Sequence, residues 1–158
     1  MDKILANAIV MLKAEFVKRN KGSSHIHEVI PISPKSLSIA EHELEMLHKF
    51  AESNSIYSNS YEMEIDGMLC KVYEGDVNDY WLDSIKHDTS YAPFYPIWIL
   101  SAYALALESK KIAVKEIIDI GSGDGRIAYS AKVAGLQSYG IEIDENLVRL
   151  EKDRKSVV

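Results

Sequence analysis

The chain has 158 residues, of which 47% are hydrophobic and 27% charged, with a formal net charge of −6. This length suits one domain, or one domain with a small extension, and the composition is that of a globular rather than a disordered protein. The negative charge argues against broad binding to nucleic-acid backbones. Cys70 is the only cysteine, so no internal disulfide can form, which predicts a reducing, cytoplasmic location.

The first predicted element is an amphipathic helix near the amino terminus. Leu5, Ile9, Leu12 and Phe16 follow the spacing of one helix face. The basic residues that follow, together with Gly22, predict the end of the helix. The apolar stretch at 4–12 is somewhat like a secretion signal, but its helical spacing favours a packed helix, and we predict no membrane association.

The next segment holds two alternating histidines, His25 and His27. Both imidazoles are potential metal ligands. Without a cysteine or a further histidine nearby in the sequence, the pattern is more typical of ordinary loop or strand residues, and we predict no metal site.

A short strand and a second helix are predicted between residues 29 and 53. Pro31 confines the strand, at 29–32, to the edge of a sheet, because proline cannot donate a ladder hydrogen bond. Ser38 and Glu41 have the spacing of a capping box, which predicts that the helix begins at Ser38 and runs to about Ser53.

The clearest hairpin signal in the chain is Asp66-Gly67, a dipeptide typical of type I′ turns. It predicts antiparallel strands at 60–65 and 68–73, with Glu62 opposite Lys71. One face then carries Tyr61, Met63, Ile65, Met68, Cys70 and Val72. In this register Cys70 is a core residue. Because the sequence places no base beside it, we do not expect a catalytic thiol.

Aromatic residues crowd the segment from Tyr73 to Trp98. They can form a small second core that joins the two halves of the chain, or the wall of a small-molecule pocket, and both can be true together. A helix is predicted from Pro96 to about Ser109, because proline is favoured at the first helical position.

The stretch from Glu116 to Arg126 reads Glu-Ile-Ile-Asp-Ile-Gly-Ser-Gly-Asp-Gly-Arg and predicts a strand, a glycine turn and the start of a helix. The helix continues to about Ala134, and a second strand follows at 138–144. A final helix is predicted from Glu145 to about 155. This order implies that the two strands are parallel.

The glycine spacing distinguishes two nucleotide-binding patterns. The dinucleotide fingerprint needs a third small residue where Arg126 stands, so that pattern fails. The pattern acid-x-G-x-G-x-G is met by Asp119, Gly121, Gly123 and Gly125. It resembles motif I of the seven-stranded, Rossmann-like methyltransferases that use S-adenosylmethionine. We expect Arg126 to face the first turn of the helix rather than the glycine turn.

The resemblance implies S-adenosylmethionine as cofactor and assigns roles to residues along 91–153. The glycine turn and the helix N-terminus would hold the methionyl part, with Asp119 bonding its amino group. Glu142 would accept hydrogen bonds from the ribose hydroxyls, since a carboxylate is acceptor-only. Ile143 would press on the adenine, and Tyr91 and Tyr95 would touch the cofactor. The cofactor-binding residues implied in this way are Asp119, Gly121, Ser122, Gly123, Gly125, Glu142, Ile143, Tyr91 and Tyr95.

The fold class predicted is α/β, with the start of a Rossmann-like methyltransferase sheet, a parallel β-α-β unit, preceded by an α+β region. Residues 1–90 would form a helical N-terminal region containing the hairpin at 60–73, and residues 91–158 a partial S-adenosylmethionine-binding domain. Such a domain contains further strands beyond the second. We therefore expect a fragment that either forms a homo-oligomer or lacks its C-terminal half.

Catalytic residues are not predicted. Amino-methylating members of this family carry an Asn/Asp-Pro-Pro-aromatic motif, and no proline follows Pro96 here. The chain alone would therefore be inactive, and its methyl acceptor (protein, nucleic acid or small molecule) stays open. Two alternatives are a non-catalytic interaction module with a methyltransferase-like fold and, disfavoured by Arg126, an NAD(P)-binding oxidoreductase.

Overall fold

The computed structural model describes residues 3–23, 25–76, 96–145, 147–149 and 152. These form an α/β structure with a three-stranded antiparallel sheet and a two-stranded parallel sheet. The elements in order are α1 (Lys3–Arg19), β1 (His25–Pro31), a 3-10 turn (Pro34–Ser36), α2 (Glu41–Glu52), β2 (Asn59–Ile65), β3 (Met68–Asp76), α3 (Ile99–Lys111), β4 (Glu116–Ile120), α4 (Arg126–Val133) and β5 (Gln137–Ile141). Residues 145, 147–149 and 152 are helical.

The predicted hairpin is confirmed in its register. β2 and β3 pair Ile65 with Met68, and the turn between them is Asp66-Gly67. Both turn residues have positive φ, 50° and 75°, as a type I′ turn requires. The strands extend beyond the predicted ranges, to Asn59 and Asp76. Cys70 is buried as expected.

β1 is the third strand of this sheet, in the order β1-β3-β2, and β3 is its one partner among the described strands. The edge position predicted from Pro31 is therefore confirmed. The strand begins earlier than predicted, at His25 rather than Val29. Pairing of His25 with Asp76 and of His27 with Glu74 continues the ladder to the end of β3.

Helices cover both faces of the three-stranded sheet. α1 buries the predicted apolar stripe, and its Phe16 ring lies 4.9 Å from the ring of His27. α2 lies on the opposite face, where His48 Nδ1 is 2.9 Å from the Tyr73 hydroxyl. Successive strand residues point to opposite faces, so His27 and Tyr73 mark the two sides.

The start of α2 differs from the sequence prediction. Ser38 has a φ of 55°, a left-handed conformation instead of the extended one typical of an N-cap residue, and the helix begins at Glu41. The backbone N–H of Ala40 donates to Glu43 Oε2 at 3.1 Å. The capping box thus lies two residues later than predicted. Only its glutamate makes a side-chain hydrogen bond, because alanine at the N-cap has no acceptor.

The second sheet confirms the predicted parallel pair. β4 and β5 run in register from Glu116 opposite Gln137 to Ile120 opposite Ile141. α4 connects them and packs against α3 and both strands. α3 begins at Ile99, three residues after the predicted start at Pro96. One cluster of buried side chains includes residues from α1, α2, α3, α4 and the three-stranded sheet.

The face of the two-stranded sheet that points away from α4 is apolar and exposed. Exposure there is 57% for Ile118, 81% for Ile120, 57% for Tyr139 and 56% for Ile141. A parallel sheet is normally covered on both faces, so this surface is unusual for the strands that carry it. Among the described helices, none has the length and apolar character that a membrane crossing needs.

Candidate functional site

The turn between β4 and α4 depends on three glycines in left-handed conformations. Gly121, Gly123 and Gly125 have φ values of 77°, 57° and 77°, a region that glycine adopts at no steric cost. The N–H groups of Gly121 and Ser122 donate to the carbonyl of Ile141, at 2.7 and 3.1 Å. The turn is therefore held against the end of β5.

Two features of this turn fit a bound ligand. A Cβ added at Gly121 would meet no atom within 4 Å, so there is open space beside the backbone. The hydroxyl of Ser122 is buried and has no hydrogen-bond partner among the described residues. A buried polar group of this kind is normally satisfied by a partner, a water or a ligand.

Glu142 lies directly beside the glycine turn. Its Oε2 accepts a hydrogen bond from the Gly123 N–H at 2.7 Å. Its Oε1 accepts from the N–H groups of Ile143 and Asp144, at 2.7 and 2.9 Å. A carboxylate has about four acceptor sites, so roughly one remains for a hydroxyl donor. Binding both ribose hydroxyls would require one of the backbone bonds to be exchanged.

The remaining residues implied by the resemblance lie in different positions. Asp119 is half-buried in β4, two residues before the turn. Ile143 follows Glu142 and is 68% exposed, so an apolar side chain is available beside the turn. Tyr91 and Tyr95 lie outside the described residues, as does most of the aromatic segment.

The guanidinium of Arg126 has a role that the sequence did not indicate. The expectation that Arg126 faces the first turn of the helix rather than the glycine turn is wrong. The side chain is 3% exposed and bonds Asp124, inside the glycine turn, through Nε at 2.9 Å and Nη2 at 2.6 Å. It also bonds Glu28 of β1 and the Tyr57 hydroxyl, both at 3.2 Å, and the carbonyl of Ile97. Arg126 thus joins the glycine turn to the N-terminal half.

This buried network contains more acidic than basic groups, because a single guanidinium contacts two carboxyl groups. Burial raises the pKa of Glu28 to about 7, although the neighbouring Arg126 charge opposes the shift. Glu28 Oε1 accepts a hydrogen bond from the Ile99 N–H at 2.8 Å, and Asn54 donates to Asp124 at 2.8 Å. Each carboxyl therefore has a partner besides the arginine.

The sequence contained a weak signal for this network. Glu28 is the charged residue directly before the apolar Val29 and Ile30, and an acid in a buried strand needs a partner. The identity of that partner could not be read from the strand, since Arg126 comes 98 residues later.

Searches against known proteins found nothing similar: no protein-family model, no curated protein and no solved structure matches this chain. Its function therefore has to be inferred from its motif and from the geometry of the glycine turn and Glu142.

Proposed function

We propose that this chain binds S-adenosylmethionine at the glycine turn, as the cofactor-binding half of a seven-stranded, Rossmann-like methyltransferase. The observation that carries the proposal is the 2.7 Å hydrogen bond from the Gly123 N–H to Glu142 Oε2. It joins the glycine turn, which the resemblance assigns to the methionyl part of the cofactor, to the carboxylate that it assigns to the ribose. In this proposal the parallel β4–α4–β5 unit is the start of the methyltransferase sheet.

The residues around the turn have the chemistry that such a ligand needs. The open space beside Gly121 admits a close backbone contact, and the Ser122 hydroxyl is available as a donor. The carboxylate of Glu142 retains acceptor capacity for a ribose hydroxyl. Asp119 provides a negative charge at the end of β4 for the ammonium of the methionyl part. The exposed side chain of Ile143 offers an apolar surface to the adenine.

When bound, the cofactor supplies an already activated methyl group, so the protein contributes mainly alignment. This chain's own share is to hold and orient the ligand through the glycine turn and Glu142. The described residues suggest no group that orients an acceptor, and the acceptor's class is left open. The single, buried Cys70 supports a reducing cytoplasm as the location.

The direct test is a substitution that fills the open space without unfolding the turn. Gly121→Asn is suitable, because asparagine tolerates positive φ better than other residues and its side chain would occupy the ligand's space. Gly67→Asn is a matched control, since Gly67 has φ of 75° and open surroundings but lies in the hairpin turn. Calorimetric titration with S-adenosylhomocysteine should show binding to the wild type and the control and none to Gly121→Asn.

Thermal melting provides a second measurement. One site filled to a hundred times its dissociation constant adds about 2.7 kcal/mol to stability. NAD, run in parallel, should give no such effect, because Arg126 replaces the third small residue of the dinucleotide pattern. Absence of any binding of S-adenosylmethionine or its product at millimolar concentration would reject the proposal for this chain.

A second candidate is a non-catalytic interaction module with the same fold. The exposed apolar face of β4 and β5 favours it, because contiguous apolar surface often marks a protein contact. The same face would also be covered in a homo-oligomer. Cofactor binding by the wild-type chain distinguishes the methyltransferase from a pure interaction module.

A further inference from the structure

The end of the three-stranded sheet brings three potential metal ligands together. His25 and His27 point to one face of β1, and Glu74 of β3 is the cross-strand partner of His27. One ligand atom from each residue lies within 4.8 Å of the other two. The sequence could not supply this third ligand, since Glu74 follows His27 by 47 residues.

The spacing of these atoms matches that of a small coordination sphere. His27 Nε2 lies 3.0 Å from Glu74 Oε2, and His25 Nδ1 lies 3.9 Å from the same oxygen. A tetrahedral zinc ion with bonds of about 2.1 Å separates its ligand atoms by roughly 3.4 Å. The two distances to Glu74 bracket this value. All three ligand atoms lie within 4.8 Å of one another, so the two imidazoles would have to move closer together to complete the site.

Of the two histidines, His27 is buried and held by its neighbours, whereas His25 is accessible to solvent. The His27 side chain is 8% exposed and packs edge-on against Phe16, which fixes its ring. The His25 side chain is 45% exposed, so an ion can enter from solvent. Asp76, opposite His25 in the ladder, adds a second negative charge on the same face.

We propose that His25, His27 and Glu74 form a binding site for a divalent transition-metal ion, with zinc as the best-fitting example. Two imidazoles and one carboxylate are a donor set that zinc uses, whereas calcium and magnesium prefer oxygen ligands. Three protein ligands leave a fourth position for solvent or another molecule. An ion there would replace the contact between His27 Nε2 and Glu74 Oε2 and would join the ends of β1 and β3.

The test is competitive titration of the chain, without an affinity tag, with Zn²⁺ against a chromophoric chelator. The wild type should bind one equivalent. His25→Asn removes an exposed ligand without disturbing the core, and Glu74→Gln keeps the shape of the side chain. Each of these two substitutions should weaken zinc binding by more than about 10- to 100-fold. That range is the typical cost of losing a residue that only hydrogen-bonds a metal ligand. His42→Asn, which removes an exposed histidine of α2, is the matched control and should bind like the wild type.

Circular dichroism of each variant verifies that the fold is retained. Equal zinc affinity of His25→Asn, His42→Asn and the wild type would overturn the proposal, as would a wild-type chain that fails to compete with the chelator. Melting adds an independent readout. Zinc should raise the melting temperature of the wild type and of His42→Asn, but not that of Glu74→Gln. Neither readout depends on cofactor binding at the glycine turn.

Discussion

The guanidinium of Arg126 lies 3.2 Å from the carboxylate of Glu28, although 98 residues separate them in the chain. Both side chains are buried, at 3% and 0% exposure. The same guanidinium bonds Asp124 in the glycine turn. The N-terminal sheet is thereby connected to the proposed cofactor site through one arginine. Changes at this contact should affect both halves of the chain.

Replacing the arginine should destabilise the protein strongly. Arg126→Met leaves two buried carboxyl groups without their shared cation, and breaking a buried pair in this way costs about 3–5 kcal/mol. Urea unfolding measures the loss. Arg19→Met, at an exposed arginine with one bond to the Glu64 carbonyl, should change stability little. The double variant Arg126→Met/Glu28→Gln should recover part of the loss, and equal effects of the two single arginine variants would contradict the prediction.

The raised pKa of Glu28 predicts a particular pH dependence. The ordinary pKa is 4.5 and the folded value about 7, so between these values the native state binds more protons than the unfolded state. The free energy of unfolding contributed by Glu28 should therefore fall as pH rises from about 4.5 through 7, by at most about 3 kcal/mol. Glu28→Gln keeps an acceptor for the Ile99 N–H and removes the titration. Unfolding curves across this range should be flatter for the variant, and parallel curves would exclude the effect.

Glu142 should support both the turn and the cofactor. Glu142→Ala removes the acceptor of three backbone N–H groups and of the proposed ribose hydrogen bond. Cofactor affinity should fall by roughly 1.5–3 kcal/mol, the range for hydrogen bonds to a charged group, and the melting temperature should also fall. Glu145→Ala, at an exposed acid three residues further on, is the control. Calorimetry that finds unchanged affinity in Glu142→Ala would remove the ribose role.

The exposed face of the second sheet should drive self-association. Ile120→Glu places a charge on this apolar surface at the last residue of β4, which is 81% exposed. The variant should shift the chain toward monomer in sedimentation velocity. Ile112→Glu is a matched control, because Ile112 is 78% exposed but lies at the end of α3. A wild-type chain that is monomeric at high concentration would contradict this expectation.

Cys70 should be unreactive in the folded protein. Its thiol is buried in β3, and burial raises its pKa to about 11, so little thiolate exists near neutral pH. Modification by a disulfide reagent should be slow in buffer and fast in urea. Rapid modification of the native chain would show that the end of the hairpin opens readily.

Elements with local signals could be predicted from the amino-acid sequence. The alternation around Asp66-Gly67 fixed the register of β2 and β3, because a two-residue turn and a period of two leave one consistent pairing. The spacing from Leu5 to Phe16 fixed the buried face of α1. The order of strand, helix and strand also predicted the parallel pair of β4 and β5.

Contacts between distant segments could not be predicted from the sequence, because they depend on how the elements pack together. The partner of Glu28, and the carboxylate beside His25 and His27, depend on how β1 packs against residues 47 to 98 positions away. Periodicity states which face a side chain takes, but not what lies opposite that face. The start of α2 also departs from the local signal, because Ser38 has a left-handed conformation that serine seldom adopts and the helix begins at Glu41.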